Sequence, residues 1–384
     1  MSSKRALQAA LAELDDLEDG PRHLMRLAVG RAAEARGLTA PWDPGLPARS
    51  AERLSGIISL TAPPDPAAWG AAELGGIYQA VTAAETRKQQ GIWFTPPVVA
   101  ESMTRLAIPA GRCDCSNPAC GLQVAVLDPA CGAGIFIVAA ARQIAQVYAA
   151  LISGQPDPPA AAVRFALPVV MERCVFGVDI DPVAVEIARA ACWLETGGTR
   201  PINWMDDNII TGDTLAGVLP KPLRDRLDGP QPLIIIGNPP YRDKARGAAP
   251  WIEARRQDGG EELLPRPSLD EFRLPRNGRR EYVLSSLYVY FWRWALWQAM
   301  ETRQAPGTVA FITPSAYLTS DAFAGMRAHM RRCADDGWII DLSPEGHQAP
   351  IGTRIFRDVQ APVCICILTQ TTDPARDPQA AATP

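Results

Sequence analysis

The chain has 384 residues, 47% hydrophobic and 21% charged, which is enough apolar material for one large α/β domain with an accessory region and excludes an intrinsically disordered polypeptide. A formal net charge of −4 excludes a uniformly basic nucleic-acid binder and leaves room only for a local basic face. No apolar run reads as long enough to span a bilayer, the N-terminus MSSKRALQAALAELDDLEDG has no signal-peptide core, and nine scattered cysteines fit reduced thiols, so a cytoplasmic protein is expected.

Residues 1–60 read as helical, with Leu7, Leu11, Leu14 and Leu17 at helical spacing. Proline-rich breaks follow at 41–47 and 63–66, and a second helical stretch covers roughly 67–89. From about residue 124 short β-branched runs alternate with Ala-rich stretches. Strands are expected at 124–127, 174–178, 208–211, 233–236, 308–312, 338–342 and 362–368, and helices at roughly 135–150, 182–195, 284–303 and 321–333. This alternation predicts a Rossmann-like α/β fold, a mostly parallel seven-stranded sheet with helices on both faces. The last two strands have no helix between them and are expected to form a terminal antiparallel hairpin. The expected division is an N-terminal helical region at 1–85, a catalytic domain at 86–370 with an insertion at 242–283, and a disordered polar tail at 371–384.

Three strand ends carry candidate ligand contacts. The first strand runs into Asp128-Pro-Ala130-Cys-Gly132-Ala-Gly134, a glycine-rich turn opening a helix. Ligands of open α/β sheets bind at such strand ends, and glycine lets the backbone approach them, although the turn alone is equally a tight strand-to-helix connection. One unit later a strand ends in Asp179-Ile-Asp181-Pro182. An acid at Asp179 is placed to take both hydroxyls of a ribose or simply to solvate a strand end. Asp181 before Pro182 reads as a helix N-cap. Asp213 follows a third strand and is placed to accept from an adenine amine, although on its own it is an ordinary strand-end aspartate. Two such elements in series favour a nucleoside ligand.

The most specific pattern is Asn238-Pro239-Pro240-Tyr241 after the buried run Leu233-Ile-Ile-Ile. Consecutive prolines fix the backbone and remove donors, leaving the Asn238 side-chain oxygen and the Pro239 carbonyl as acceptors for one amino group. Tyr241 is an aromatic surface for a planar ring.

With these residues the chain resembles the amino-methyltransferases with an Asn-Pro-Pro-Tyr motif, above all the adenine-N6 DNA methyltransferases of restriction-modification and phage-defence systems. Arg87-Lys-Gln-Gln-Gly-Ile-Trp-Phe94-Thr95-Pro96 resembles that family's N-terminal cofactor motif, Leu74-Gly-Gly-Ile-Tyr-Gln looks familial, and Gly307-Thr-Val-Ala-Phe-Ile-Thr-Pro resembles its fifth strand. The resemblance implies S-adenosylmethionine as cofactor. It implies that Phe94, Thr95 and Pro96 flank its methionine part, that Asp128, Ala130, Gly132 and Gly134 form the loop beneath it, that Asp179 holds its ribose and Asp213 its adenine. It implies that Asn238, Pro239, Pro240 and Tyr241 hold a target adenine flipped out of double-stranded DNA. Larger family members continue into a target-recognition domain, so a separate recognition or defence subunit is an expected partner. The same tetrad serves enzymes acting on a protein glutamine or an RNA base amine, and a non-catalytic subunit of a defence complex is a further alternative.

Other signals are weighed against plain structural readings. Cys113, Cys115 and Cys120 lack a fourth zinc ligand nearby, and His23, His329 and His347 show no ligand spacing, so no metal is expected. The aromatic run from Tyr288 to Trp297 has the spacing of a helix packed on the sheet. The Arg-rich stretch 266–280 is the candidate for phosphate contacts, with a solvated loop equally compatible.

Overall fold

The computed structural model describes residues 17–43, 45–82, 94–108, 122–254, 266–274, 278–343, 355–356, 359 and 361–371. The expected helix at Leu7–Leu14, the Arg87–Trp93 part of the N-terminal motif, Cys113, Cys115, Cys120, His347 and nearly all of the tail fall outside them.

Seven strands form one sheet: β1 (Ala125–Asp128), β2 (Val175–Asp179), β3 (Ile209–Thr211), β4 (Leu233–Gly237), β5 (Gly307–Pro314), β6 (Asp336–Asp341) and β7 (Val363–Gln370), in the order β3-β2-β1-β4-β5-β7-β6. The first five run parallel, and β7 lies antiparallel between β5 and β6. The expected hairpin is therefore present, with its second strand inserted against β5. Strands β1, β4 and β5 are buried throughout, which is why they read as continuous apolar runs rather than alternating ones.

Helices α1 (Gly20–Ala35), α2 (Ala48–Thr61) and α3 (Ala71–Val81) precede the sheet, followed by α4 (Pro97–Ala107), α5 (Ile135–Ser153), α6 (Ala160–Cys174), α7 (Pro182–Glu195), α8 (Lys221–Leu227), α9 (Leu287–Leu296) and α10 (Ala324–Cys333). Side chains of one strand alternate between two cores. Val126, Ile234 and Ile236 join α4–α7 on one face. Leu127, Leu233 and Ile235 join α9 and its π-helical extension on the other. The aromatic run is core as expected, with Tyr290, Trp292 and Trp294 fully buried. A third core binds α1, α2 and α3 to α7 through Leu24, Ile58, Leu74, Ile187 and Trp193.

Three expectations change. Helix α5 is, by length and composition, apolar enough to cross a membrane, with a mean hydropathy of 1.7. The helix was expected at 135–150 but not its apolar length, and its Phe136, Ile137, Ala140 and Ile144 pack in the core beside the sheet. Helix α6 was not foreseen, because Pro159 stands at its start and Pro168 lies inside it. An interior proline costs about 3 kcal/mol, offset here by burial of Leu167, Val170 and Met171. The described parts of the 242–283 segment lack periodicity because they pack through short helical turns, yet Ala249, Ile252, Leu269 and Phe272 are buried in the core around α9.

Candidate active site

The carboxyl ends of β1, β2, β3 and β4 open onto one cleft of about 390 Å³, within the range of nucleoside-sized ligand sites. Phe94, Thr95, Asp128, Ala130, Gly132, Asp179, Asp213, Asn238 and Pro240 line it. Pro96, Gly134, Pro239 and Tyr241 do not: Pro96 caps α4, Gly134 caps α5, and Pro239 is buried.

The turn after β1 is shaped by its glycines. Gly132 and Gly134 hold φ of +50° and +85°, a region that favours glycine. A Cβ on Gly134 would meet Ala188 Cα of α7 at 3.1 Å, so this turn lies directly on α7. Its ends are pinned by side chains. The Gly132 N–H donates to Asp179 Oδ2 at 2.8 Å, the Ala130 N–H to Asp128 Oδ1 at 3.1 Å, and the Thr214 hydroxyl to the Pro129 carbonyl at 2.7 Å.

Asp179 also accepts from the Asp181 N–H at 2.9 Å. Burial pushes its carboxyl up to about 6, against the lowering effect of these backbone donors. Asp128 is more completely desolvated, and burial raises it to about 8. It sits beside the root of the tetrad, since a Cβ on Gly237 would lie 2.7 Å from its Oδ1. Asp181 caps α7 as expected, accepting from the Val183 N–H at 2.9 Å. Asp213 turns one oxygen onto the Leu215 N–H at 2.9 Å.

Asn238 Nδ2 donates to the buried Thr95 hydroxyl at 3.1 Å. This bond joins the Thr-Pro element to the tetrad across 143 residues of sequence. Phe94 packs on α3, where a Cβ on Gly75 would stand 2.7 Å from its Cε2. The Tyr241 hydroxyl donates to the Ile312 carbonyl at 2.9 Å, and its ring meets Phe356 edge-on at 6.2 Å between centroids.

Several lining residues had no role assigned from the sequence, although Tyr78 and Gln79 lie in the Leu74–Gln79 stretch noted there. Tyr78, Gln79 and Thr82 bring α3 to the cleft, and the Tyr78 hydroxyl donates to Asp181 Oδ2 at 2.6 Å. Ile180 lines the cleft while 67% exposed, a signal available in the sequence as an apolar residue between two acids. Leu287 and Phe291 of α9 and Arg242 complete the wall beyond Pro240. Arg242 is the one cation among the described lining residues, set against Asp128, Asp179, Asp181 and Asp213.

Away from the cleft, Glu301, His329 and Cys333 bring three possible metal-ligand atoms within 4.8 Å. Burial pushes the Glu301 carboxyl up, but hydrogen bonds from His329 and Arg293 outweigh it and hold it at about 2. Arg293 engages both Glu301 oxygens at 2.6 and 2.7 Å, so a guanidinium already fills the place of a cation there.

Comparison with known proteins gives a match to one family model and a likeness of fold. Residues 73–261 match the family model for N-6 DNA methylase. No curated protein sequence matches the chain. Among solved structures, the DrdV–DNA complex aligns with a TM-score of 0.55 and 16% identity over 96% of this chain and 40% of that one. The ATP-dependent type ISP restriction-modification enzyme LlaBIII bound to DNA aligns at 0.53 and 16%, over 97% and 27%. The type IIL restriction-modification enzyme MmeI in complex with DNA aligns at 0.51 and 15%, over 85% and 43%. The likeness at these identities is one of fold, and the chain spans less than half the length of each of these enzymes.

Proposed function

We propose, from the match of residues 73–261 to the N-6 DNA methylase family model, that this chain is a cytoplasmic DNA methyltransferase of a restriction-modification or phage-defence system, transferring the methyl group of S-adenosylmethionine to N6 of adenine. The observation that carries this reading is the Asn238–Thr95 hydrogen bond. It brings two motifs far apart in sequence into the cleft where the strand-end carboxylates converge. The division into a helical region 1–85, a catalytic domain 86–370 and a tail 371–384 belongs to the same proposal.

The donor set fits a sulfonium nucleoside. Asp179 and Asp213 each keep acceptor capacity beyond their backbone bonds, which matches the hydroxyls of a ribose and the amine of an adenine. Ile180 supplies apolar surface between them. The carboxylate-lined end suits a cation, and Phe94 and Thr95 line the same cleft as Asn238. When bound, S-adenosylmethionine supplies a methyl group already activated on sulfur.

The rest falls to the chain. The N6 lone pair of adenine is delocalised into the ring, so the amine is a poor nucleophile. The Asn238 side-chain oxygen and the Pro239 carbonyl accept its two N–H bonds, draw the nitrogen toward tetrahedral geometry and stabilise its developing positive charge. Thr95 positions Asn238 by holding its Nδ2. Leu287, Phe291 and Pro240 give the base an apolar wall, which offsets part of the few kcal/mol needed to unstack it from a duplex. No buried base is required, because the proton leaves a positively charged product amine for solvent.

The test is mass spectrometry of nucleosides from cells carrying the intact gene or Asn238→Ala. N6-methyladenine should appear with the intact gene and fall by at least ~100-fold with the variant. Its absence from DNA in both strains, including with neighbouring gene products supplied, sinks the adenine reading.

A further inference from the structure

The segment leaving the tetrad, residues 242–247, carries three cations and one carboxylate, Arg-Asp-Lys-Ala-Arg-Gly, in a chain whose net charge is −4. Backbone hydrogen bonds tie this loop to the start of α9. The Ala245 N–H donates to the Ser285 carbonyl at 2.6 Å and the Leu287 N–H to the Arg242 carbonyl at 2.9 Å. The acids beside it are turned to internal donors. Asp243 Oδ1 accepts from the Ser286 hydroxyl at 2.8 Å. Glu253 takes the Gly247 N–H on both oxygens, at 2.9 and 3.0 Å, and the Ala249 N–H at 3.2 Å.

The cations are disposed differently. Arg242 is half-buried and lines the cleft beside Asn238 and Pro240, while Lys244 and Arg246 are exposed. None of the three makes an ion pair among the described residues. Lys244 holds φ at +53°, one of two non-glycine residues with positive φ among the described residues. A lysine there is strained, and glycine would relieve it, so the local backbone does not account for a lysine at this position. By contrast, the two arginines with described side chains in the 266–280 stretch expected to contact phosphate are engaged internally. Arg266 donates to the Trp251 and Ala254 carbonyls at 2.8 and 2.9 Å, and Arg273 pairs with Asp270 and Glu281.

We infer that the 242–247 loop is the phosphodiester-binding rim of the cleft, with Lys244 and Arg246 holding the nucleic-acid backbone and Arg242 positioning the phosphate of the nucleotide whose base enters beside Asn238. This deepens the proposed function and rests on it. The rim supplies the local basic surface that the net charge leaves room for, and its attachment to the tetrad couples the backbone grip to placement of the base.

The experiment is fluorescence anisotropy of a mixed-sequence duplex oligonucleotide at a series of salt concentrations, with S-adenosylhomocysteine present. Each of Lys244→Ala and Arg246→Ala should lower the slope of log K against log salt by about one. Lys244→Gly should lose the same slope while melting no lower than the wild type, a combination that a purely structural lysine does not give. Arg242→Ala should raise the KM for DNA by tenfold or more, with calorimetric affinity for S-adenosylhomocysteine unchanged. A loss of that affinity instead would place Arg242 on the cofactor carboxylate and overturn its assignment. Wild-type binding with unchanged slopes in the Lys244 and Arg246 variants would overturn the rim while leaving the methyltransferase reading intact. A wild type that binds no duplex at any salt, with neighbouring gene products supplied, would overturn both.

Discussion

Two carboxylates at neighbouring strand ends bring the residue scale to a measurable pH dependence. Asp128, 2% exposed, is pushed from 3.8 to about 8 by burial. The folded protein therefore keeps a proton there that the unfolded chain has already released. Its stabilising contribution is complete below about pH 4 and is lost as pH rises through about 8. Asp179, at about 6, acts in the same direction over a narrower window. Asp128→Asn keeps an oxygen for the Ala130 N–H and removes the ionisation. Without ligand, the variant should gain melting temperature relative to the wild type from pH 5 to about pH 8 and level off above it. A difference that does not change with pH would show that Asp128 does not titrate in this range. Asp128, Asp179 and Asn238 were legible in the sequence because each ends an apolar run at a predictable strand terminus. Arg242 was not, since nothing in an irregular charged segment marks which arginine faces a cleft and which binds a carbonyl.

At the scale of elements, α3 shows how a helix becomes part of a site. Its Gly75 allows Phe94 to lie against it, and Tyr78 ties it to the N-cap of α7 through Asp181. A hydrogen bond to a charged group contributes about 1.5–3 kcal/mol, and Tyr78→Phe removes only that bond. The variant should bind S-adenosylhomocysteine about tenfold more weakly by calorimetry with unchanged circular dichroism. A lower melting temperature with unaltered affinity would make the tie structural only. Helical spacing revealed this helix but not its neighbours, because the partners of Tyr78 lie 103 residues away. Strands β1, β4 and β5 were legible for the opposite reason: burial on both faces leaves an unbroken apolar run. Their order was not, since insertion of β7 between β5 and β6 depends on pairing that no local pattern encodes. Helix α6 stayed hidden behind Pro168, whose local penalty is overcome only by tertiary burial.

For the whole molecule, the question is whether the N-terminal helices and the sheet form one cooperative unit. Helix α1 packs on α3 and α7, and the core they share runs across the division expected at residue 85. Arg22 and Arg26 also reach Glu186 of α7, at 2.9 and 3.2 Å. These pairs are partly exposed and worth at most about 1 kcal/mol each, so the apolar contact decides the coupling. Leu24 is fully buried in it, and a buried leucine truncated to alanine costs about 2–5 kcal/mol. Because α7 begins at Asp181 in the cleft wall, loosening α1 reaches the floor of the site through the same helix. Leu24→Ala should therefore lower the melting temperature in calorimetry as a single transition. Saturating S-adenosylhomocysteine should raise that transition without splitting it, since ligand binding stabilises whatever unfolds with the site. A second, earlier transition that the ligand leaves unmoved would show that the helical region unfolds by itself, and that its contact with α7 does not carry stability to the cleft.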